Sequence, residues 1–173
     1  MRGLLATLET GFNRLARFLA VLVAASIGLI TVLIPLNLLL VKTQLGSLWW
    51  LYEAVEYALY VGVFIGAPWV LQQGAHVRVD VLLSALPRLH AMRLERAIDL
   101  ASALLCLLLA YYGIRATLVE FAAGTLPDKD LRIANWAMTA VFAFSFLALA
   151  IEFGFRFRRA GEIVAGEKAA RGF

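Results

Sequence analysis

Charged residues are scarce in this chain, 16% of 173 residues against 62% hydrophobic, and that scarcity excludes an ordinary water-facing surface. A helix that is apolar on all sides must be covered by protein or by lipid. A 19.0 kDa body has too little interior to cover several such helices, so the mean hydropathy of +0.83 points to an integral membrane protein. Cysteine is nearly missing: Cys106 stands alone in an apolar run, which excludes an internal disulfide. Histidine is almost as rare. His76 and His90 fall in one polar stretch rather than inside the apolar runs, where a membrane cytochrome needs its axial ligands, so a haem reading has no support. Phosphate-binding glycine loops, zinc-ligand spacings and nucleophile elbows are also missing. No enzyme activity and no cofactor is therefore expected. The net charge of +4 does not suggest nucleic acid, because the basic residues gather beside the apolar runs as membrane orientation signals do.

Four long apolar runs are present. The first, residues 18–41, is uncharged and exceeds both the roughly 20 residues that cross a bilayer and the roughly 7 to 15 of a signal-peptide core. It is therefore expected to remain as span one, with Pro35 and Asn37 kinking or hydrating its outer half. Before it, Leu4, Leu8, Phe12, Leu15 and Leu19 recur at helical spacing among Arg2, Arg14 and Arg17, the pattern of an N-terminal interfacial helix. Span two, 49–71, opens on Trp49, Trp50 and Tyr52, the aromatics of a headgroup region. Its Glu53 and Gly62 lie about 180° apart on the helix, so the span is expected to serve two protein neighbours.

Span two ends in a dense polar cluster, QQGAHVRVDVLLSALP at 72–87. Past His76, the stripe Val79, Leu82, Leu83 and Leu86 suggests a short interfacial helix between spans two and three. Pro87 suits the first turn of the next helix. Span three covers 98–119 and span four 133–151, joined by the turn GTLPDKD and followed by a basic tail, 152–173. Arg115 stands near the far end of span three beside Tyr111 and Tyr112, where snorkelling to the interface accounts for it. Twelve of the 16 Lys and Arg fall at the N-terminus, in the central loop or in the tail. By the positive-inside rule these three regions are cytoplasmic. The fold expected is all-α: one four-span membrane domain, 1–173, with both termini inside.

The candidate site residues are the polar and small groups of the spans and the central loop. Glu53 and Glu56 can hold a cation or a polar solute, or serve as structural pairing partners at a shallow depth. Gly62 and Gly66 form a GxxxG, which permits close helix approach. His76, Arg78 and Asp80 can be a solvated loop or a specific contact against the apolar stripe.

The run from Glu53 to Leu86, with its acidic entry, GVFIGAPWV, and then His76, Arg78 and Asp80, resembles the small membrane subunit of TRAP transporters, the DctQ type. The family pattern has a basic residue soon after the acidic entry; this chain departs from it with Glu56. The resemblance implies a three-part system of the bacterial inner membrane. In it, a periplasmic binding protein (DctP-type) captures an organic acid, and a large membrane subunit (DctM-type) moves it by a sodium-coupled elevator motion. The small subunit braces the large one. Substrate selection and sodium binding fall to the partners, and the named residues of this chain become structural or subunit-interface groups in contact with the large subunit and with membrane lipids. A self-sufficient small transporter coupled through Glu53 or Glu56, and a membrane adaptor outside transport, are the alternatives.

Overall fold

A computed structural model describes residues 2–73 and 88–170, with side chains for 7–73 and 90–158. The described residues form four helices: α1, Arg2–Lys42; α2, Leu51–Gln72; α3, Arg88–Ala123; and α4, Asn135–Ala170. Each contains a stretch long and apolar enough to cross a membrane, because runs rich in Leu, Val, Ile, Ala and Phe satisfy every backbone group internally and offer lipid only hydrocarbon. The interfacial helix expected between spans two and three lies outside the described residues. At the N-terminus the structure has one continuous helix, without a break between the basic, amphipathic start and the apolar run. At the other end, α4 continues through residue 152, where the sequence reading begins the tail.

The main helix contacts run from α1 to α2, from α2 to α4 and from α4 to α3. The core lies where three of these helices meet: Leu71 of α2, Cys106 of α3, and Leu149 and Ala150 of α4, with Ala67, Phe146 and Phe153 packed around them. Farther along, Tyr60 and Phe64 of α2 interleave with Phe142 and Phe146 of α4 at centroid distances of 4.6 to 6.2 Å. Helices α3 and α4 approach closely where Gly113 lies against Ala143. Span two therefore has the two neighbours its geometry called for, α1 and α4.

Two loops, 43–50 and 124–134, share one end of the molecule, here the hairpin end; the opposite end is the terminal end. Helix α1 stops in a Schellman motif: Leu45 N–H reaches Leu40 O and Gln44 N–H reaches Val41 O, with Gln44 in the left-handed region at φ 57°. Glycine is the usual occupant of that position. Gln44→Gly is expected to raise stability by about 0.5–1 kcal/mol as the strain at Cβ is relieved, read as a higher midpoint of thermal unfolding in detergent. Asn37, where water was expected, has a partner within the protein. The helix runs through Pro35, and Asn37, 1% exposed, accepts Leu48 N–H at 2.7 Å. That bond satisfies both groups inside the protein and fixes the 43–50 hairpin on α1.

Candidate functional site

The polar side chains of α2 gather at its two ends, and both ends tie it to the α3–α4 pair. At the hairpin end, the Glu53 carboxylate accepts Asp130 N–H at 3.1 Å and Leu131 N–H at 2.6 Å. One turn on, Glu56 is ion-paired with Lys129, whose ammonium also lies 5.0 Å from the centre of the Tyr57 ring. Tyr57 donates its hydroxyl to Leu131 O at 3.2 Å. The i, i+3, i+4 spacing of Glu53, Glu56 and Tyr57 puts them on one helical face, so the 124–134 loop is clipped to α2 at four points. Both glutamates are thus engaged by the chain's own loop. The basic partner of Glu56 comes from 73 residues away, Lys129.

The hydrogen bond from Lys129 to Glu56, followed by the attraction of Glu56, Tyr57 and Glu53, holds the Lys129 ammonium above the usual lysine range of 10.5. A raised lysine value means that its contribution to folding is complete below the unfolded pKa and is lost as pH rises through the folded one. The difference in unfolding midpoint between the wild type and Lys129→Met is therefore expected to stay constant from about pH 6 to about 9. It should vanish only in strongly alkaline buffer. A difference that disappears near neutrality would rule out Lys129 as its source.

In the middle of α2, Tyr60 donates to Met138 O at 3.2 Å and the Ser145 hydroxyl, wholly buried, donates to Phe64 O. The two glycines of the GxxxG have different surroundings. A Cβ on Gly62 would meet Val23 Cγ1 of α1 at 3.2 Å, whereas Gly66 has nothing within 4 Å. Only Gly62 sits at a close helix contact.

At the terminal end, Gln72, the last residue of α2, donates to Glu152 Oε2 at 3.1 Å, and Glu152 is fully buried. Beside it, Arg156 of α4 reaches Asp99 at 3.5 Å and Glu95 at 3.7 Å, both on α3. The Arg96 guanidinium lies 4.7 Å over the Phe157 ring. Asp99 is 2% exposed, so the group is a buried polar cluster joining three helices. Sequence reasoning missed it by counting Asp99 only as part of the start of span three and Glu152 and Arg156 as part of the tail. Two signals were present: the i, i+4 pairs Glu95/Asp99 and Glu152/Arg156, and Phe153, Phe155 and Phe157 continuing the apolar helix past residue 151. His90 is exposed. His76, Arg78 and Asp80 lie outside the described residues.

Among the described residues there is no group of three or more His, Cys, Asp or Glu able to hold a metal. What the arrangement can do chemically is hold helices in register: charged and amide groups lock α2, α3 and α4 at both ends, with apolar packing between them. No curated protein matches the sequence. The family described as "Tripartite ATP-independent periplasmic transporters, DctQ component" matches residues 40–160, a stretch that contains α2, α3 and both clusters. With that match over most of its length, the chain belongs to the DctQ family, a membrane component of tripartite transporters and not an enzyme.

Proposed function

We propose that this chain is the small permease subunit that braces the large subunit of a TRAP transporter during sodium-coupled uptake of an organic acid. A periplasmic binding protein delivers the acid. The chain sits in the bacterial inner membrane with both termini and the 74–87 segment in the cytoplasm, as the distribution of Lys and Arg suggests. The supporting observation is the locking of α2 at both ends, by Glu53 and Glu56 against the 124–134 loop and by Gln72 against Glu152. A brace needs helices that do not slide, whereas a transport path needs convergent polar groups near mid-depth. At mid-depth the Tyr60 side chain of α2 and the Ser145 side chain of α4 instead make bonds between helices. Glu53 and Glu56, the groups a self-sufficient transporter would use, are both engaged by backbone and lysine partners. Sodium and substrate sites are accordingly assigned to the large subunit.

Co-expression with the genomic neighbours and capture in mild detergent tests this reading. A large polytopic protein is expected to co-purify, and uptake in proteoliposomes is expected only with all three components. Capture of no such protein, or sodium-driven uptake by this chain alone, refutes the bracing role.

A further inference from the structure

Helices α1 and α2 are joined by the 43–50 hairpin, and a groove of about 600 Å³ lies along their junction. Its walls are small and apolar, with Ala20, Ala24 and Ile27 on α1 and Ala58, Gly62 and Gly66 on α2. A Cβ at Gly62 would meet Val23 at 3.2 Å, which sets those two residues at one level. Counting about 1.5 Å per residue from them, Ile27 and Ala58 both lie about 6 Å toward the hairpin end, where the groove stops. In the other direction Arg17 of α1 and Trp69 of α2 lie about 9 and 10 Å away, level with each other. Trp69 lines the groove, and Arg17 stands on its rim, within about 20° of Ala24 around the helix.

Arg17 is exposed and makes no hydrogen bond or ion pair with any described residue. It is the last charge before the uncharged run 18–41, which sets it at headgroup depth. Helical side chains lean toward the N-terminus of their helix, so its guanidinium leads outward from the hydrocarbon. Asn13, one turn earlier, and the Trp69 indole N–H add neutral donors at the same mouth. From Arg17 to Ile27 is about 15 Å, half of the roughly 30 Å hydrocarbon core. The groove therefore has the depth of one leaflet, with a cation at its outer end. A transmembrane helix would need a seat along the full thickness, whereas a hydrocarbon chain beneath a phosphate needs this depth and this charge. We infer that the α1–α2 groove binds a phospholipid of the leaflet at the terminal end, with its acyl chain against Gly62 and Gly66 and its phosphate on Arg17. Such a site needs no other subunit and stands apart from the bracing role.

Native mass spectrometry of the full chain in mild detergent, titrated with phosphatidylglycerol, tests this site. A single lipid is expected to bind ahead of any others, and diacylglycerol or inorganic phosphate to bind about tenfold more weakly or worse, since each lacks half of the contact. Arg17→Gln is expected to weaken that first lipid about tenfold, while Arg17→Lys keeps most of the affinity because an ammonium also pairs with phosphate. Gly66→Leu, whose side chain enters open space, should displace the acyl chain to a similar extent. Ala24→Phe fills the groove from α1 should Gly66→Leu fail to fold. Binding that Arg17→Gln leaves unchanged, or that diacylglycerol matches, overturns the site. Binding weakened by Arg17→Gln but indifferent to both groove-filling changes also overturns it, because Arg17 would then only snorkel among bulk lipids. In the co-expressed complex, a photo-crosslinking residue at Val63, 69% exposed on the groove wall, is expected to label phospholipid; adducts with protein alone would make a helix the occupant and overturn the inference.

Discussion

Gly113→Ala is expected to destabilise the protein by about 1–3 kcal/mol, the usual cost of forcing a methyl group into a filled contact, while Gly66→Ala is expected to be neutral or mildly stabilising. A Cβ at Gly113 would lie 2.9 Å from Phe142 Cδ1 and 3.1 Å from both Cα and Cβ of Ala143. The Phe142 ring can turn aside, but Ala143 Cα is backbone, so the α3 and α4 axes must separate. That separation would loosen the neighbouring contacts of Cys106 and Ala110, which owe their burial to the same approach. Gly66 has open space around its missing Cβ, and alanine there gains helix propensity worth up to about 1 kcal/mol. Thermal unfolding in detergent, followed by circular dichroism, reads both variants. An unchanged Gly113→Ala alongside a damaged Gly66→Ala would mean that the helices pair differently.

That contrast shows what the sequence could and could not reveal. GxxxG is visible as a pattern, but of its two glycines only Gly62 meets a neighbouring helix, and among the described glycines the tightest contact belongs to Gly113, which carries no motif. Helix existence was legible because apolar length depends only on the local run of residues. Neighbours were partly legible, as in the two faces of α2, because opposite sides of one helix follow from its period. Partners distant in sequence were not. Glu53 and Glu56 could be singled out as ionisable groups near a membrane entry, but nothing local indicates that Lys129 and the amides of Asp130 and Leu131 would meet them. Asn37 misled for a related reason. An amide in an apolar run suggests water, and its actual partner is a backbone N–H in the following loop. The terminal-end cluster was misplaced because charge was taken to mark the end of a span, whereas these charges are buried by pairing across helices.

That pairing makes Arg156 the other position of large expected effect. Arg156→Leu is expected to cost roughly 3 kcal/mol, because removing one partner leaves a desolvated carboxylate without a cation that had faced it. The Asp99 side chain is 4% exposed and that of Arg156 14%, so solvent screens the pair little; Glu95, at 34%, shares the same guanidinium and contributes less. Arg156→Lys is expected to recover only part of the loss, since one guanidinium nitrogen, Nη2, faces both carboxylates and a compact, strongly hydrated ammonium is costlier to bury there. Asp99→Asn combined with Arg156→Leu should be less damaging than the sum of the single changes, by about 1–2 kcal/mol. Strict additivity would show that Arg156 does not act through Asp99 and would leave Glu95 and the Phe153 ring, 5.9 Å away, as its partners. The same cycle carries a functional readout in the three-component transporter. If the cluster serves only to hold α3 on α4, uptake and recovery of the assembled complex should fall together in Arg156→Leu and return together in the double variant. Uptake that stays low after assembly is restored would assign the cluster a part in transport beyond bracing.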